Sequence, residues 1–302
     1  MEPFVYPGPI FEKNVFFSER VAMSSLSETD FVYFSRFLKE NSEIVLTPEK
    51  EYLVEARLAP IQKKLGLSSL AELMNKLRLE PFGALHNEVI EAMTTNETYF
   101  FRDVKPFEAL RNEVLPDLIG ARSSKRSLTI WSAACSSGQE AYSIKMTLKE
   151  FFPQLVNWNT RIFCTDLSQE MINRTVEGRF SQLEVNRGLP IQMLVKYFQK
   201  VGNDWQVKPD LKVGLDAKVM NLAKSWPPLP PIDVLFLRNV LIYFDLEAKT
   251  QILNRVAKVL APDGILFLGG SETTLNISNE YERRGNSETS YYVLKKAKSH
   301  TA

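Results

Sequence analysis

Cysteine and histidine are scarce. The chain of 302 residues has two of each, Cys135 and Cys164, His86 and His300. Two thiols make no disulfide framework and no multi-cysteine zinc site; both are expected to be small, buried and reduced. Two histidines, one of them beside the C-terminus, exclude a Ser-His-Asp hydrolase and a multi-histidine metal centre. The reaction must therefore manage without a histidine base, and no metal is expected. An excess of charge is also missing: 37 Lys and Arg stand against 36 Asp and Glu, a net +1. A nucleic-acid binder would show a marked basic surplus. No apolar run approaches a membrane span, and MEPFVYPGPIFEKNVFF carries no signal-peptide pattern. Neither nucleic acid nor membrane insertion is expected, and the expected compartment is the cytoplasm.

What is present falls into two rhythms. After an irregular lead-in over 1–23, residues 24–95 repeat apolar positions at helical spacing, with Ser27 as the first cap and Pro81 as a break. A small helical bundle is expected there. Residues 96–104 form a linker that reaches the site. From 105 to 298 strands and helices alternate, with strands at 127–133, 161–165, 217–222, 232–237 and 264–269 and helices at 105–120, 138–151, 168–176 and 246–260. That order predicts an α/β fold with a doubly wound, mostly parallel sheet. Two short runs over 280–295 suit a closing antiparallel hairpin. Between 178 and 216 the unit expands, with a helix over 190–199 and a hairpin turning at Gly202–Asp204.

The chemistry concentrates where strands end. VLFLRNVLIYFD, 234–245, stops an apolar strand on Arg238 and Asn239, which would face the crevice where open α/β sheets bind ligands. The alternative is an arginine that caps the strand or pairs with a helix. The first strand runs into AACSSGQEAYS, 133–143, whose one glycine is Gly138. A dinucleotide would need G-x-G-x-x-G to bring the backbone against a pyrophosphate, so the loop favours a phosphate-free ligand such as S-adenosylmethionine. Asp166 ends the second strand, where an ionised carboxylate can accept from two ribose hydroxyls; it can also begin the helix that follows. Asn221 and Leu222 are placed to flank an adenine. Glu140 suits the methionine ammonium, or is simply a first-turn acid favoured by the helix dipole. TTNETYFFRD, 94–103, sets three aromatics beside Arg102, which reads as a segment docking the two halves, a ligand contact, or both.

Taken together, TNETYFFRD, WSAACSSGQEAYS, CTDLS, FLRNVLIYFD and GGSE, in this order, make the chain resemble the CheR family of chemotaxis receptor glutamate methyltransferases from about residue 24 to 296. The resemblance implies a helical N-terminal domain, a methyltransferase domain and a small β-subdomain inserted near 200–215. It implies S-adenosylmethionine as cofactor, S-adenosylhomocysteine as product, and contacts from Asn96, Thr98, Arg102, Glu140, Asp166, Asn221, Leu222, Arg238 and Asn239. Arg102 and Tyr243 fall where the family places residues around the transferred methyl. The implied acceptor is the γ-carboxylate of glutamates on the cytoplasmic methylation helices of receptors, with the enzyme a monomer. Gln139 stands where many members carry Glu, and Gly270 where some carry His. The compact hairpin turn predicts action independent of a receptor C-terminal pentapeptide. Arg57 and Lys64 share a helical face that could steer an acidic receptor. A methyltransferase with another acceptor shares the cofactor site, and a non-catalytic docking module is the rival outside catalysis.

Overall fold

The computed structural model describes residues 26–285 and 290–295; the lead-in expected over 1–23, and His300, lie outside them. Ser27 caps the first helix, Glu28–Ser42, by accepting the Asp30 N–H. Helices Glu51–Lys64, Leu70–Leu79 and Ala84–Ala92 follow, with Pro81 in the break before the last. Phe34, Leu38, Val54, Leu58, Leu73, Met74 and Val89 make the fully buried centre of this bundle. His86 belongs to it. Its Nδ1 accepts the Gly83 N–H and its Nε2 bonds the Leu77 carbonyl, so both ring nitrogens serve the bundle.

The larger sheet contains β1 (Ser127–Ala133), β2 (Asn159–Asp166), β6 (Leu215–Val219), β7 (Ile232–Leu237), β8 (Leu260–Leu268), β9 (Tyr281–Arg284) and β10 (Tyr291–Leu294), in the spatial order β6-β2-β1-β7-β8-β10-β9. The first five in that order are mutually parallel. The expected closing hairpin is present, with β10 antiparallel to both β8 and β9. Every residue of β7 is buried, as a parallel strand covered on both faces requires. The chain winds outward from β1 in one direction through β2 and in the other through β7. Their carboxyl ends therefore open the crevice at the switch point.

Three differences from the sequence reading have local causes. The helix expected over 105–120 contains a π turn at Leu110–Val114 between Lys105–Ala109 and Leu115–Ala121. Pro116 supplies no N–H to an α-helical ladder, and the wider turn ahead of it sends the Leu115 N–H to the Leu110 carbonyl. The third strand runs 215–219 instead of 217–222, so Asn221 and Leu222 lie just beyond it. The small inserted sheet reaches further back than 200–215. It consists of β3 (Arg179–Phe180), β4 (Phe198–Val201) and β5 (Asp204–Val207) in the order β3-β5-β4. A strand of two residues has no periodicity to read. It exists because Phe180 joins Phe100, Tyr142 and Phe198 in one buried cluster.

Candidate functional site

The loop after β1 is held by the end of β2. Asp166 accepts the Ser136 N–H on Oδ2 at 2.8 Å and the Ser168 N–H on Oδ1 at 3.0 Å. Burial pushes its carboxyl up, against the backbone N–H groups that favour the ionised form. The cap of the next helix, Gln169–Glu177, is Ser168, which accepts from Met171; Asp166 is not the cap. Gly138 sits at φ +94, and a Cβ there would lie 2.9 Å from Thr175 Oγ1 and 3.2 Å from Thr175 Cα. This glycine lets the loop close onto that helix, a packing role distinct from gripping a phosphate. Cys135 also faces the cleft. Hydrogen bonding to Cys164 and burial raise its thiol well above the ordinary value, so it stays protonated.

Arg238, at the end of β7, has a side chain only 1% exposed. Its Nη1 meets Glu140 Oε2 at 3.1 Å, and its Nη2 meets Asp103 Oδ2 at 2.7 Å and the Arg102 carbonyl at 2.8 Å. Its Nε is buried without a protein partner. Glu140 also accepts from Ser132 Oγ at 2.7 Å. The bland expectation of a strand-end arginine paired with a helix is thus met, and the same pair lines the cleft. A buried guanidinium without these partners would be costly. With them it fixes the Arg102–Asp103 backbone over the sheet.

Glu272, the acid of GGSE, carries no expected role from its sequence context. Its Oε2 accepts from Gly269 N at 2.7 Å and from Asn239 N at 2.8 Å, and its Oε1 from Ile242 N at 3.3 Å. Asn239 is held at φ +59, a conformation that non-glycine residues adopt at a cost. One carboxylate therefore clamps the segment that carries Asn239 and Tyr243. The available signal was an acid two residues after a glycine pair at a strand end; two of its three partners are 30 and 33 residues away.

The helical bundle forms the other wall. Asn221 donates Nδ2 to the Asn41 carbonyl and accepts the Ala223 N–H, so its amide is partly spent on holding the first helix. Lys39 pairs with Asp245 at 2.7 Å. Arg57 places Nη1 on the Met93 and Thr94 carbonyls at 2.6 and 3.0 Å and Nη2 on Thr95 Oγ1. On the helical face that Arg57 and Lys64 share, Arg57 braces the start of the 94–102 segment and Lys64 pairs with Glu88 while remaining mostly exposed. Carbonyls at a helix C-terminus attract a cation, which a seven-residue spacing does not reveal. Along that segment Phe100 is fully buried against Phe180 and Phe198, while Arg102 donates to the Glu97 carbonyl at 2.7 Å.

Asn96, Thr98, Arg102, Glu140, Asp166, Asn221, Leu222, Arg238, Asn239 and Tyr243 all line one cleft, which is partly open to solvent. Its chemistry fits S-adenosylmethionine. Met93, Leu167, Met220, Leu222 and Phe244 supply apolar surface for a purine. Asp166 offers its remaining lone pairs to a diol and Glu140 a charge for an ammonium, while Arg238, paired with Glu140 and Asp103, orders that end of the cleft. Nothing in the 133–138 loop is shaped for a pyrophosphate. No described helix is long and apolar enough to cross a membrane.

Comparison with known proteins shows the family. Residues 29–94 match the family model for the CheR methyltransferase all-alpha domain, and 96–290 that for the CheR methyltransferase SAM binding domain. The chain is 41% identical to the chemotaxis protein methyltransferase Cher2 of Pseudomonas putida, over 85% of this chain and 95% of that one. It is 42% identical to chemotaxis protein methyltransferase 1 of Pseudomonas aeruginosa, with the same coverage. The chemotaxis protein methyltransferase of Vibrio parahaemolyticus is 37% identical over 85% of this chain and 94% of its own. The chain thus belongs to the CheR methyltransferase family, an α-helical domain followed by a doubly wound methyltransferase domain that takes S-adenosylmethionine as cofactor.

Proposed function

We propose that the protein esterifies the γ-carboxylate of glutamates on the cytoplasmic methylation helices of chemotaxis receptors. The observation that carries this reading is the state of the acids and the thiol in the cleft. Glu140 is occupied by Arg238 and Ser132, Asp166 by two backbone N–H groups, Glu97 by Arg187, and Cys135 is held protonated. None is poised to take a proton from an acceptor. A carboxylate needs no such base, since its ordinary pKa lies near 4.3. The relatives named as chemotaxis protein methyltransferases support a protein of chemotaxis as its carrier, and the reading takes that protein to be a receptor.

Bound S-adenosylmethionine supplies an electrophilic methyl on a sulfonium. The chain's own part is binding, orientation and exclusion of water. In this reading Asp166 holds the ribose, Glu140 and Arg238 the methionine end, and Asn221 and Leu222 the adenine edge. Asn96, Thr98 and Asn239 complete the wall. Arg102, tied to the Glu97 carbonyl by one Nη, turns its remaining N–H groups to the incoming carboxylate. Tyr243 guides it from the opposite loop. The enzyme acts as a monomer in the cytoplasm.

The reading includes independence from a receptor C-terminal pentapeptide. The β4–β5 turn is only Gly202 and Asn203, and Trp205 donates Nε1 to Gln182 Oε1 at 2.9 Å with Lys200 over its ring. Such a short turn projects little backbone for an added strand. The test is incubation with methyl-labelled cofactor and receptor cytoplasmic fragments, with and without the last five residues. Base-labile label on glutamate, equal in both fragments, is expected. Base-stable label would overturn the ester assignment, and loss of label on truncation would overturn the pentapeptide one.

A further inference from the structure

The guanidinium that pairs with the cleft-lining Glu97 can do more than hold that acid. Arg187, from the inserted unit between β3 and β4, reaches across to the 94–102 segment. It pairs with Glu97 Oε1 at 2.5 Å, and its guanidinium lies 4.3 Å from the centroid of the Tyr99 ring. Arg102 lies 5.7 Å from the centroid of the same ring. Two guanidiniums thus share Tyr99, and both also bond Glu97: Arg102 through its carbonyl, Arg187 through its carboxylate.

Arg187's place is built. Gly188, at φ +83, packs so closely on the 94–102 segment that a Cβ would collide with the Phe100 carbonyl oxygen. Leu189 is buried directly after it. Arg187 and Glu97 themselves remain about half exposed, at 52% and 53%, and Glu97 lines the cleft. A pair this exposed contributes little to stability, so a carboxylate from outside can replace Glu97 at small cost. Tyr99 would keep the guanidinium in position during the exchange.

We propose that Arg187 is an acceptor-recognition residue, which takes a second carboxylate on the substrate helix beside the glutamate being methylated, and that Glu97 occupies this position until the acceptor arrives. The inference rests on the carboxylate reading of the acceptor and adds a specificity element to it. The preferred substrate segment carries a further acidic side chain near the modified glutamate.

Steady-state methylation of a receptor cytoplasmic fragment, together with calorimetric binding of S-adenosylhomocysteine, tests it. Arg187→Gln is expected to raise the KM for the fragment about tenfold, the scale of one partly screened charge-assisted contact, with kcat and product affinity unchanged. Arg187→Lys should fall between, since an ammonium keeps the charge but not the planar stack. Glu97→Gln should lower KM, and the double variant should behave as Arg187→Gln. If both single variants shift KM in the same direction, or both weaken S-adenosylhomocysteine, the pair only pins the segment and the proposal is wrong. Failure of the carboxylate reading is separately visible, because the wild-type enzyme would then place no base-labile methyl on the fragment. That outcome would overturn this proposal as well.

Discussion

Replacing Glu272 by Gln tests how the 239–243 loop is held. The wild-type carboxylate accepts N–H bonds from Gly269 at 2.7 Å, Asn239 at 2.8 Å and Ile242 at 3.3 Å. Gln keeps one oxygen, which can face Gly269 and Asn239, but it turns an NH2 towards the Ile242 donor. The two short bonds fall from charge-assisted to neutral, a loss of about 1 kcal/mol each. The third, already long, is lost for about 0.5 kcal/mol more. The total is about 2.5 kcal/mol, and Glu272 is partly solvent-exposed, so about 2 kcal/mol is the better expectation. It should appear at the loop, because the partners hold Asn239 at its positive φ and carry Tyr243 behind it. S-adenosylhomocysteine binding should weaken by about tenfold or more, at 1.4 kcal/mol per decade, with kcat for methylation falling in parallel. Calorimetry supplies the first number and filter-bound methyl label the second. Affinity within twofold of wild type, with the whole cost recovered as global unfolding free energy in urea, would refute the clamp as a positioning device.

Asp166→Asn should weaken S-adenosylhomocysteine by about 1–3 kcal/mol and also destabilise the fold, because the amide meets the Ser136 or Ser168 N–H with a donor; unchanged calorimetric affinity would remove Asp166 from the ribose. Arg102→Lys should cut kcat about a hundredfold, the scale of a misplaced reacting group, while the melting temperature holds, since the side chain contributes a single backbone hydrogen bond; parallel loss of both would make it a docking residue. Burial alone would lift the Asp30 carboxyl, but hydrogen bonds from Ser27 and Arg78 and the guanidinium charge outweigh it and hold it below its ordinary 3.8. Its contribution is therefore present above pH 3.8 and lost as pH falls through the lower folded value, so Asp30→Asn should show a shallower acid loss of stability in urea titrations, and an identical acid limb would contradict the assignment.

Much of the architecture was legible because it rests on local signals. The Ser27 cap, the full burial of 232–237 and the 127–133 strand follow from capping chemistry and apolar runs, which act over a few residues. The cleft residues were legible for a different reason. Strand ends in a doubly wound sheet converge, so polar groups placed there by sequence meet in space. What depended on the tertiary structure was partner choice. Arg57 has the spacing of a surface residue, yet it spends its guanidinium on carbonyls 36 and 37 positions away. Asn221 turns to the first helix across 180 residues, and Glu272 looks like an incidental acid until Asn239 and Ile242 are beside it. The strand Arg179–Phe180 exists only because Phe180 finds Phe100 and Phe198. Periodicity and capping report which residue types suit a face. Which charge meets which carbonyl is decided by the packing of helical bundle, sheet and insertion, because a hydrogen bond is made or missed within a few tenths of an ångström.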